Sequence, residues 1–173
     1  NVTFHVGAKV EEISGSEVKF SVKGESQTAQ GELVLVATGR KPNVANLGLD
    51  DLRVDYDERG GIKVDERCAT NIPGVWAAGD VTGRSWLAHA ASRMAEVVVH
   101  NITGRKDHMR YDSIPSVVYT SPEIAVVGLT KEQAEERGMK VVTGKIPMSV
   151  NARYLAEHPG ERGLCKVVVE EGT

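Results

Sequence analysis

Cysteine and closely spaced glycine, which mark many functional sites, are scarce in this sequence of 173 residues. The two cysteines, Cys68 and Cys165, form neither a Cys-x-x-Cys motif nor the dense disulfide framework of small secreted proteins. No Gly-x-Gly occurs, which excludes a Gly-x-Gly-x-x-Gly loop for a dinucleotide pyrophosphate from this chain. We therefore expect reduced cysteines that serve as packing or surface residues, in a cytoplasmic protein.

Long hydrophobic runs and excess positive charge are also missing. The longest apolar run, around Ile124–Leu129, is far too short to span a bilayer, and the first residues show no secretory signal. A formal net charge of -3 gives no electrostatic reason to expect nucleic acid or an anionic membrane as a partner. The 40% hydrophobic and 26% charged residues are typical of a soluble globular protein with a sizeable core.

Short strands are predicted for the first forty residues, where Val, Ile and Phe cluster between glycines. The three predicted strands are Val2–Val6, Lys9–Ile13 and Val18–Val22. Glu32–Ala37 follows as a nearly continuous apolar run, which is typical of a strand buried on both faces. Gly39 and Pro42 then favour a turn.

The chain is polar and turn-rich from Asn43 to Thr70, and strands and two helices are predicted in the remainder. Ile72–Asp80 is predicted to be a short strand closed by Gly-Asp, and apolar residues at three- and four-residue steps predict a helix over Trp86–Ile102. Thr130-Lys131-Glu132-Gln133 is a capping-box sequence that opens a short helix. The other predicted strands are Ile114–Thr120, Ile124–Leu129, Val141–Val142 and Cys165–Val169.

The Gly79-Asp80 pair is the most useful chemical feature of these elements. A glycine lets a ligand approach the backbone, and the Asp80 carboxylate can accept hydrogen bonds from sugar or polyol hydroxyls. The free N–H groups at the start of the next helix attract anionic or electron-rich atoms. Gly-Asp is also common in ordinary turns, so the spacing alone is a weak signal for a ligand site and favours the turn.

Several motifs occur in a recognisable order along the whole chain. They are Ala37–Asn43 (Ala-Thr-Gly-Arg-Lys-Pro-Asn), Asn46–Leu49, Val75–Asp80 (Val-Trp-Ala-Ala-Gly-Asp), Leu87–His89, and Ile114–Ala125 with Val127-Gly128. This series resembles the pyridine nucleotide–disulfide oxidoreductases, or flavoprotein disulfide reductases, and is most like their dihydrolipoamide dehydrogenase branch.

The resemblance implies a fold of mixed α/β and α+β class. Residues 1–40 would be the tail of an NAD-binding domain, and residues 41–113 the second segment of a Rossmann-like FAD-binding domain. Residues 114–173 would begin an α+β interface domain through which the protein forms a homodimer. The chain is thus expected to be an internal fragment of a longer protein.

The same resemblance implies cofactor contacts at specific positions. Asp80 would bind the ribityl chain of FAD beside Gly79, while the helix start beneath the flavin comprises Trp86, Leu87, Ala88 and His89. Gly39 and Val10 would lie beside NAD. Trp86 replaces the Met or Leu that is usual in the family, and Trp76 replaces a frequent Tyr. Trp86 would contact the cofactor through its backbone, so we expect its replacement of Met or Leu to change function little. An acid–base role of the His89 side chain remains an alternative to a contact through its backbone N–H.

The family's catalytic residues are missing from this chain. Cys68 and Cys165 do not form the Cys-x-x-x-x-Cys pair, and no histidine is followed by a glutamate five positions later. His158-Pro159 resembles the catalytic His-Pro only superficially. We therefore predict no catalytic residue and no metal site here, and expect the isolated chain to be inactive.

The leading hypothesis is a fragment of an FAD-dependent dihydrolipoamide dehydrogenase. Its parent would transfer electrons between NAD(H), flavin and a redox disulfide that exchanges with lipoamide or a lipoyl-bearing protein. A mercuric or glutathione reductase relative, a non-catalytic dimerisation module, and an unrelated α/β domain with an ordinary Gly-Asp turn are the alternatives.

Overall fold

The chain forms two compact units, Asn1–Arg40 and Lys41–Thr173. The computed structural model describes residues 2–172. The first unit is an antiparallel sheet of β1 (Ala8–Ser14), β2 (Glu17–Val22) and β3 (Glu25–Gln30), in the order β1-β2-β3. Its strands pair through short turns, and Phe20 on the central strand is buried. The predicted strands Lys9–Ile13 and Val18–Val22 are therefore confirmed within β1 and β2.

Two other strand predictions in this unit are wrong. Val2–Val6 and Glu32–Ala37 have no regular structure, and the Leu33 and Leu35 side chains are 93% and 88% exposed. A buried parallel strand needs hydrogen-bonded neighbours and covered faces, and no strand of residues 2–172 pairs with Glu32–Ala37. The apolar run therefore stays unpaired in this chain.

Strand β3 was not predicted because its sequence is polar. Its pairing with β2 instead depends on a two-residue turn, Lys23-Gly24. Both residues have positive φ, 53° and 89°. A type I′ hairpin turn requires this conformation, and its twist matches that of the flanking strands. The turn thus adds an exposed edge strand without an apolar signal.

The second unit begins with small elements around an apolar cluster. They are α1 (Leu49–Leu52), β4 (Tyr56–Asp57) and β5 (Gly61–Ile62), with β4 and β5 antiparallel. The buried members of the cluster are Leu49, Val54, Ile62, Val64 and Ala77. We call it the first core. The predicted strand over Ile72–Asp80 is reduced to a single bridge between Ala69 and Trp76.

Helix α2 (Ala88–Ile102) carries a second apolar cluster. Met94 and Val97 on α2 pack with Cys68 and Met109, and we call this group the second core. The predicted helix is confirmed, but it begins two residues after Trp86 because Leu87 is extended, with φ -122° and ψ 129°. No helix within residues 2–172 combines the length and apolar character needed to cross a membrane.

The segment after α2 is tied back to the helix through Asp107. Its carboxylate accepts a hydrogen bond from Arg93 at 2.7 Å and lies 2.6 Å from Nδ1 of His100. The Asn101 amide also donates to the Asp107 carbonyl oxygen at 2.8 Å. The Arg93 guanidinium, with His100, holds the pKa of the Asp107 carboxyl far below its usual range. The carboxylate is therefore ionised and fixes the start of this segment.

Residues 114–172 form two antiparallel strand pairs and two short helices. Their elements are β6 (Ser116–Val118), β7 (Ile124–Val126), α3 (Lys131–Glu136), β8 (Val141–Pro147), α4 (Ala152–Glu157) and β9 (Leu164–Glu170). Strands β6 and β7 pair antiparallel, as do β8 and β9. The capping box of Thr130 and Gln133 is confirmed, whereas α4 was not predicted. Both strand pairs leave apolar side chains exposed, including Ile124 and Val167.

Candidate functional site

The turn at Gly79 has a conformation that glycine alone adopts readily. Its φ is 81° and its ψ is -156°, a region that side chains with a Cβ avoid. Gly79 is buried against α2, where its N–H donates to Sδ of Met94 at 3.4 Å. A Cβ at this position would lie 3.3 Å from the Cβ of Ala91. The backbone just before Asp80 therefore packs closely against α2.

A single 3-10 turn, Asp80–Thr82, follows directly. Buried Thr82 closes it, because its hydroxyl donates to the Gly79 carbonyl oxygen at 2.7 Å and its N–H donates to the same oxygen at 3.0 Å. Asp80 itself is exposed, and its carboxylate has no hydrogen-bonding partner among residues 2–172. The fold therefore fixes the backbone of Asp80 and leaves its carboxylate oxygens free to accept hydrogen bonds.

Two glycines allow another backbone segment to support this turn. A Cβ on Gly61 would overlap the Val81 carbonyl oxygen and lie 2.7 Å from the Thr82 carbonyl carbon. A Cβ on Gly83 would overlap the Gly60 carbonyl oxygen. Both glycines also have positive φ. Sequence reasoning missed this contact, since Gly60-Gly61 indicates only a local turn and says nothing of a partner twenty residues away.

The start of α2 provides the second half of the candidate site. Leu87 is the N-cap residue, and no side chain caps the helix. The first N–H groups of a helix lack intrahelical partners and carry partial positive charge. Such groups can bind an anionic or electron-rich atom. Ala88 and His89 are exposed here, and Trp86 is 39% exposed.

The His89 side chain is already engaged. Its Nε2 lies 2.8 Å from the Pro115 carbonyl oxygen. A carbonyl oxygen only accepts, so Nε2 carries the hydrogen and donates it. This bond ties the first turn of α2 to the segment before β6. The contact favours a positional role for the ring over the acid–base alternative.

The residues expected beside NAD lie in the other unit. Val10 is on β1 opposite Phe20, with its side chain 52% exposed. Gly39 is exposed in the irregular segment after β3, with φ 106°. The structure thus places Gly79, Asp80 and Trp86–His89 in the second unit, with Gly79 packed against Ala91 of α2. The cofactor contacts of these residues, and those of Val10 and Gly39, stay predictions.

Cys68 lacks the surroundings of a redox centre. Cys68 is fully buried in the second core, and burial raises the pKa of its thiol to about 11. Cys165 is exposed on β9, and both cysteines are free. A nucleophilic or redox cysteine needs a lowered pKa and access to solvent. Cys68 has the properties of a packing residue.

We expect iodoacetamide to label Cys165 rapidly and Cys68 only after unfolding. At pH 8 a thiol with a pKa of about 11 is only ~0.1% ionised, and the thiolate is the reactive form. Peptide mass spectrometry in the native protein and in urea measures both labels, with Cys165 as the internal control. Equal labelling of the two cysteines in the native protein would contradict this assignment.

Two family descriptions match the chain. That of the pyridine nucleotide-disulphide oxidoreductases covers residues 1–95. That of the dimerisation domain of the pyridine nucleotide-disulphide oxidoreductases covers residues 114–173.

Similar curated proteins include several dihydrolipoyl dehydrogenases. The protein of Bacillus subtilis is 38% identical over 175 residues, covering 99% of this chain and 37% of its own length. The dihydrolipoyl dehydrogenase of Cupriavidus necator is 41% identical, and the match covers 98% of this chain and 37% of that protein. Leghemoglobin reductase of Glycine max is 42% identical, and the match covers 92% of this chain and 31% of that protein. The chain thus spans about a third of the length of these relatives.

Solved structures similar to this chain include a flavoprotein disulfide reductase. LpdA of Mycobacterium tuberculosis superposes with a TM-score of 0.80 and 26% identity, over 96% of this chain and 36% of that one. The HOCl-induced flavoprotein disulfide reductase RclA of Escherichia coli superposes with a TM-score of 0.70 and 27% identity. The match covers 94% of this chain and 38% of that one.

Proposed function

The chain belongs to the pyridine nucleotide-disulphide oxidoreductase family, and on that basis we propose that it supplies part of the FAD site of a dihydrolipoamide dehydrogenase. The observation that carries the proposal is the free Asp80 carboxylate on a backbone fixed by Gly79 and Thr82, next to an uncapped helix start. Dihydrolipoyl dehydrogenases among the relatives support the choice of enzyme.

The residues present fit FAD by the chemistry of their donors and acceptors. The ribityl chain carries hydroxyl groups, which donate, and the exposed Asp80 carboxylate accepts. Gly79 allows the backbone conformation and the close packing on Ala91 of α2 that hold the Asp80 turn in place. The N–H groups of Leu87, Ala88 and His89 would stabilise negative charge on the flavin ring, as helix starts do for anions.

FAD, when bound, supplies the electron transfer between NAD(H) and a disulfide. The role of this chain is to bind and orient that cofactor. We assign neither His89 nor His158 to proton transfer, because the His89 ring is held by the Pro115 carbonyl and His158 pairs with Glu161 on the surface. Gly39 and Val10 remain our candidates for contacts with NAD.

The proposed domain organisation follows the same family. Residues 1–40 would complete an NAD-binding domain, residues 41–113 an FAD-binding domain, and residues 114–173 would begin the dimerisation domain. Homodimerisation through residues 114–173 fits the exposed apolar side chains of β6–β9. A lipoyl-bearing protein or lipoamide would be the partner of the whole enzyme. A cytoplasmic location fits the free thiols of both cysteines.

The test uses the full-length gene product, purified and analysed for flavin absorbance and NADH-dependent reduction of lipoamide. We expect a yellow protein that reduces lipoamide in preference to oxidised glutathione or Hg²⁺. A preference for either of the latter would assign the protein to another branch of the family. A colourless product without NADH-dependent activity would refute the proposed function.

A second candidate is a non-catalytic dimerisation module, favoured by the match of residues 114–173 to the dimerisation domain. Sedimentation of the same product with and without added FAD distinguishes the two candidates. A dimer that forms normally and binds neither FAD nor NADH would support the module.

A further inference from the structure

Five residues, Gly83–Leu87, connect the Asp80 turn to α2, and we call them the 83–87 loop. Its first residue, Gly83, is anchored by a hydrogen bond from its N–H to the Asp80 carbonyl oxygen at 3.0 Å. Its last residue, Leu87, is the N-cap of α2. The loop therefore sets where the helix start stands relative to the Asp80 carboxylate.

Arg84 ties this loop to both apolar cores. Its Nη2 donates to the Val64 carbonyl oxygen at 2.9 Å, and Val64 is a buried member of the first core. Its guanidinium also lies over the Tyr111 ring, 5.4 Å from the ring centre. Tyr111 packs against the second core. One side chain thus bridges two clusters from a loop that contains no regular structure.

The chemistry of arginine suits this double contact. The planar guanidinium can stack on an aromatic face while its N–H groups donate in the plane, whereas a lysine ammonium offers a point charge without a planar face. Burial raises the pKa of Tyr111, so the ring stays a neutral phenol beneath the cation. Its buried hydroxyl has no hydrogen-bonding partner among residues 2–172. Packing therefore fixes the position of the Tyr111 ring, and the Arg84 guanidinium stacks on its face.

We propose that Arg84 is a positioning residue of the flavin site. It holds the 83–87 loop in the one conformation that presents the free N–H groups of α2 and the Asp80 carboxylate to the same ligand. The inference rests on the proposed function. Arg84 acts through the loop and needs no contact with FAD.

The experiment compares the wild-type full-length gene product with Arg84→Met, which keeps much of the side-chain length and removes the guanidinium. Hydrogen exchange of peptides covering residues 83–90 reports loop order in the apoprotein. FAD titration, followed by the absorption and circular dichroism of the bound flavin, reports the site. We expect roughly tenfold faster exchange and roughly tenfold weaker FAD binding, the factor that a lost hydrogen bond and cation–π contact together produce.

Two further variants serve as controls. Arg67→Met removes an exposed guanidinium that belongs to neither the cofactor contacts nor the dimerisation segment proposed above, and should change neither readout. Arg84→Lys keeps the charge and a donor, so it should restore part of the FAD affinity and provides a second variant should Arg84→Met fold poorly.

The outcomes separate this inference from the proposed function. A wild-type protein that binds no FAD refutes the proposed function and, with it, the role of Arg84. A wild-type protein that binds FAD, together with Arg84→Met protein of unchanged exchange or unchanged affinity and flavin spectrum, overturns the inference alone.

Discussion

Replacing Gly61 by alanine is expected to lower the free energy of unfolding by roughly 2–6 kcal/mol. Positive φ at a non-glycine residue costs about 1–3 kcal/mol, and Gly61 has φ 82°. The new Cβ would also overlap the Val81 carbonyl oxygen. Overpacking of this kind costs a further ~1–3 kcal/mol, and backbone cannot move aside as a flexible side chain can. The loss would be a large share of the ~5–15 kcal/mol by which proteins are stable.

Gly74→Ala is the matched control for this prediction. Gly74 has nearly the same φ, 81°, but a Cβ there would meet no atom within 4 Å. Its substitution should therefore show the backbone strain without the overlap. Urea denaturation of both variants in the full-length gene product measures the difference. Equal destabilisation by the two substitutions would mean that the backbone contact between Gly61 and Val81 does not support the Asp80 turn.

Replacing Asp80 by alanine is expected to weaken FAD binding by roughly 10- to 100-fold. Hydrogen bonds to a charged group contribute about 1.5–3 kcal/mol, and ~1.4 kcal/mol corresponds to a tenfold change in affinity. The Asp80 side chain is exposed and bonded to none of residues 2–172, so its removal should leave the fold intact. Equilibrium titration of the apoprotein with FAD, combined with urea denaturation, measures both effects.

Asp80→Asn and Asp51→Ala complete this comparison. The amide retains one acceptor oxygen without the charge, so the asparagine variant should bind FAD with intermediate affinity. Asp51 is an exposed carboxylate on α1, and its removal controls for the change in net charge. Wild-type affinity in Asp80→Ala protein would remove the role proposed for this residue.

Local signals in the sequence identified the elements that carry the site. The three- and four-residue apolar spacing located α2, and Thr130 with Gln133 located the start of α3. These features depend on side chains close in sequence, which is why pattern reasoning finds them. Gly79-Asp80 was predicted to close a strand before a helix; the structure has the turn and the helix there, but only a single bridge in place of the strand.

Contacts between distant residues could not be predicted in this way. The contact of Gly61 with the Val81 backbone depends on how separate segments meet in space, and so do the contacts of Arg84 with both cores. The strand predicted for Glu32–Ala37 was wrong for a related reason. An apolar run becomes a buried strand only where neighbouring strands pair with it. Polar β3 formed because its turn conformation compensated for a weak apolar pattern.

The most direct test of the central claim is a crystal structure of the full-length gene product with FAD bound. We predict a ribityl hydroxyl within about 3 Å of an Asp80 carboxylate oxygen, the distance of an O–H···O hydrogen bond. The N–H groups of Leu87–His89 should face the flavin ring at the start of α2. FAD bound elsewhere, with Asp80 exposed to solvent and the helix start unoccupied, would contradict the account.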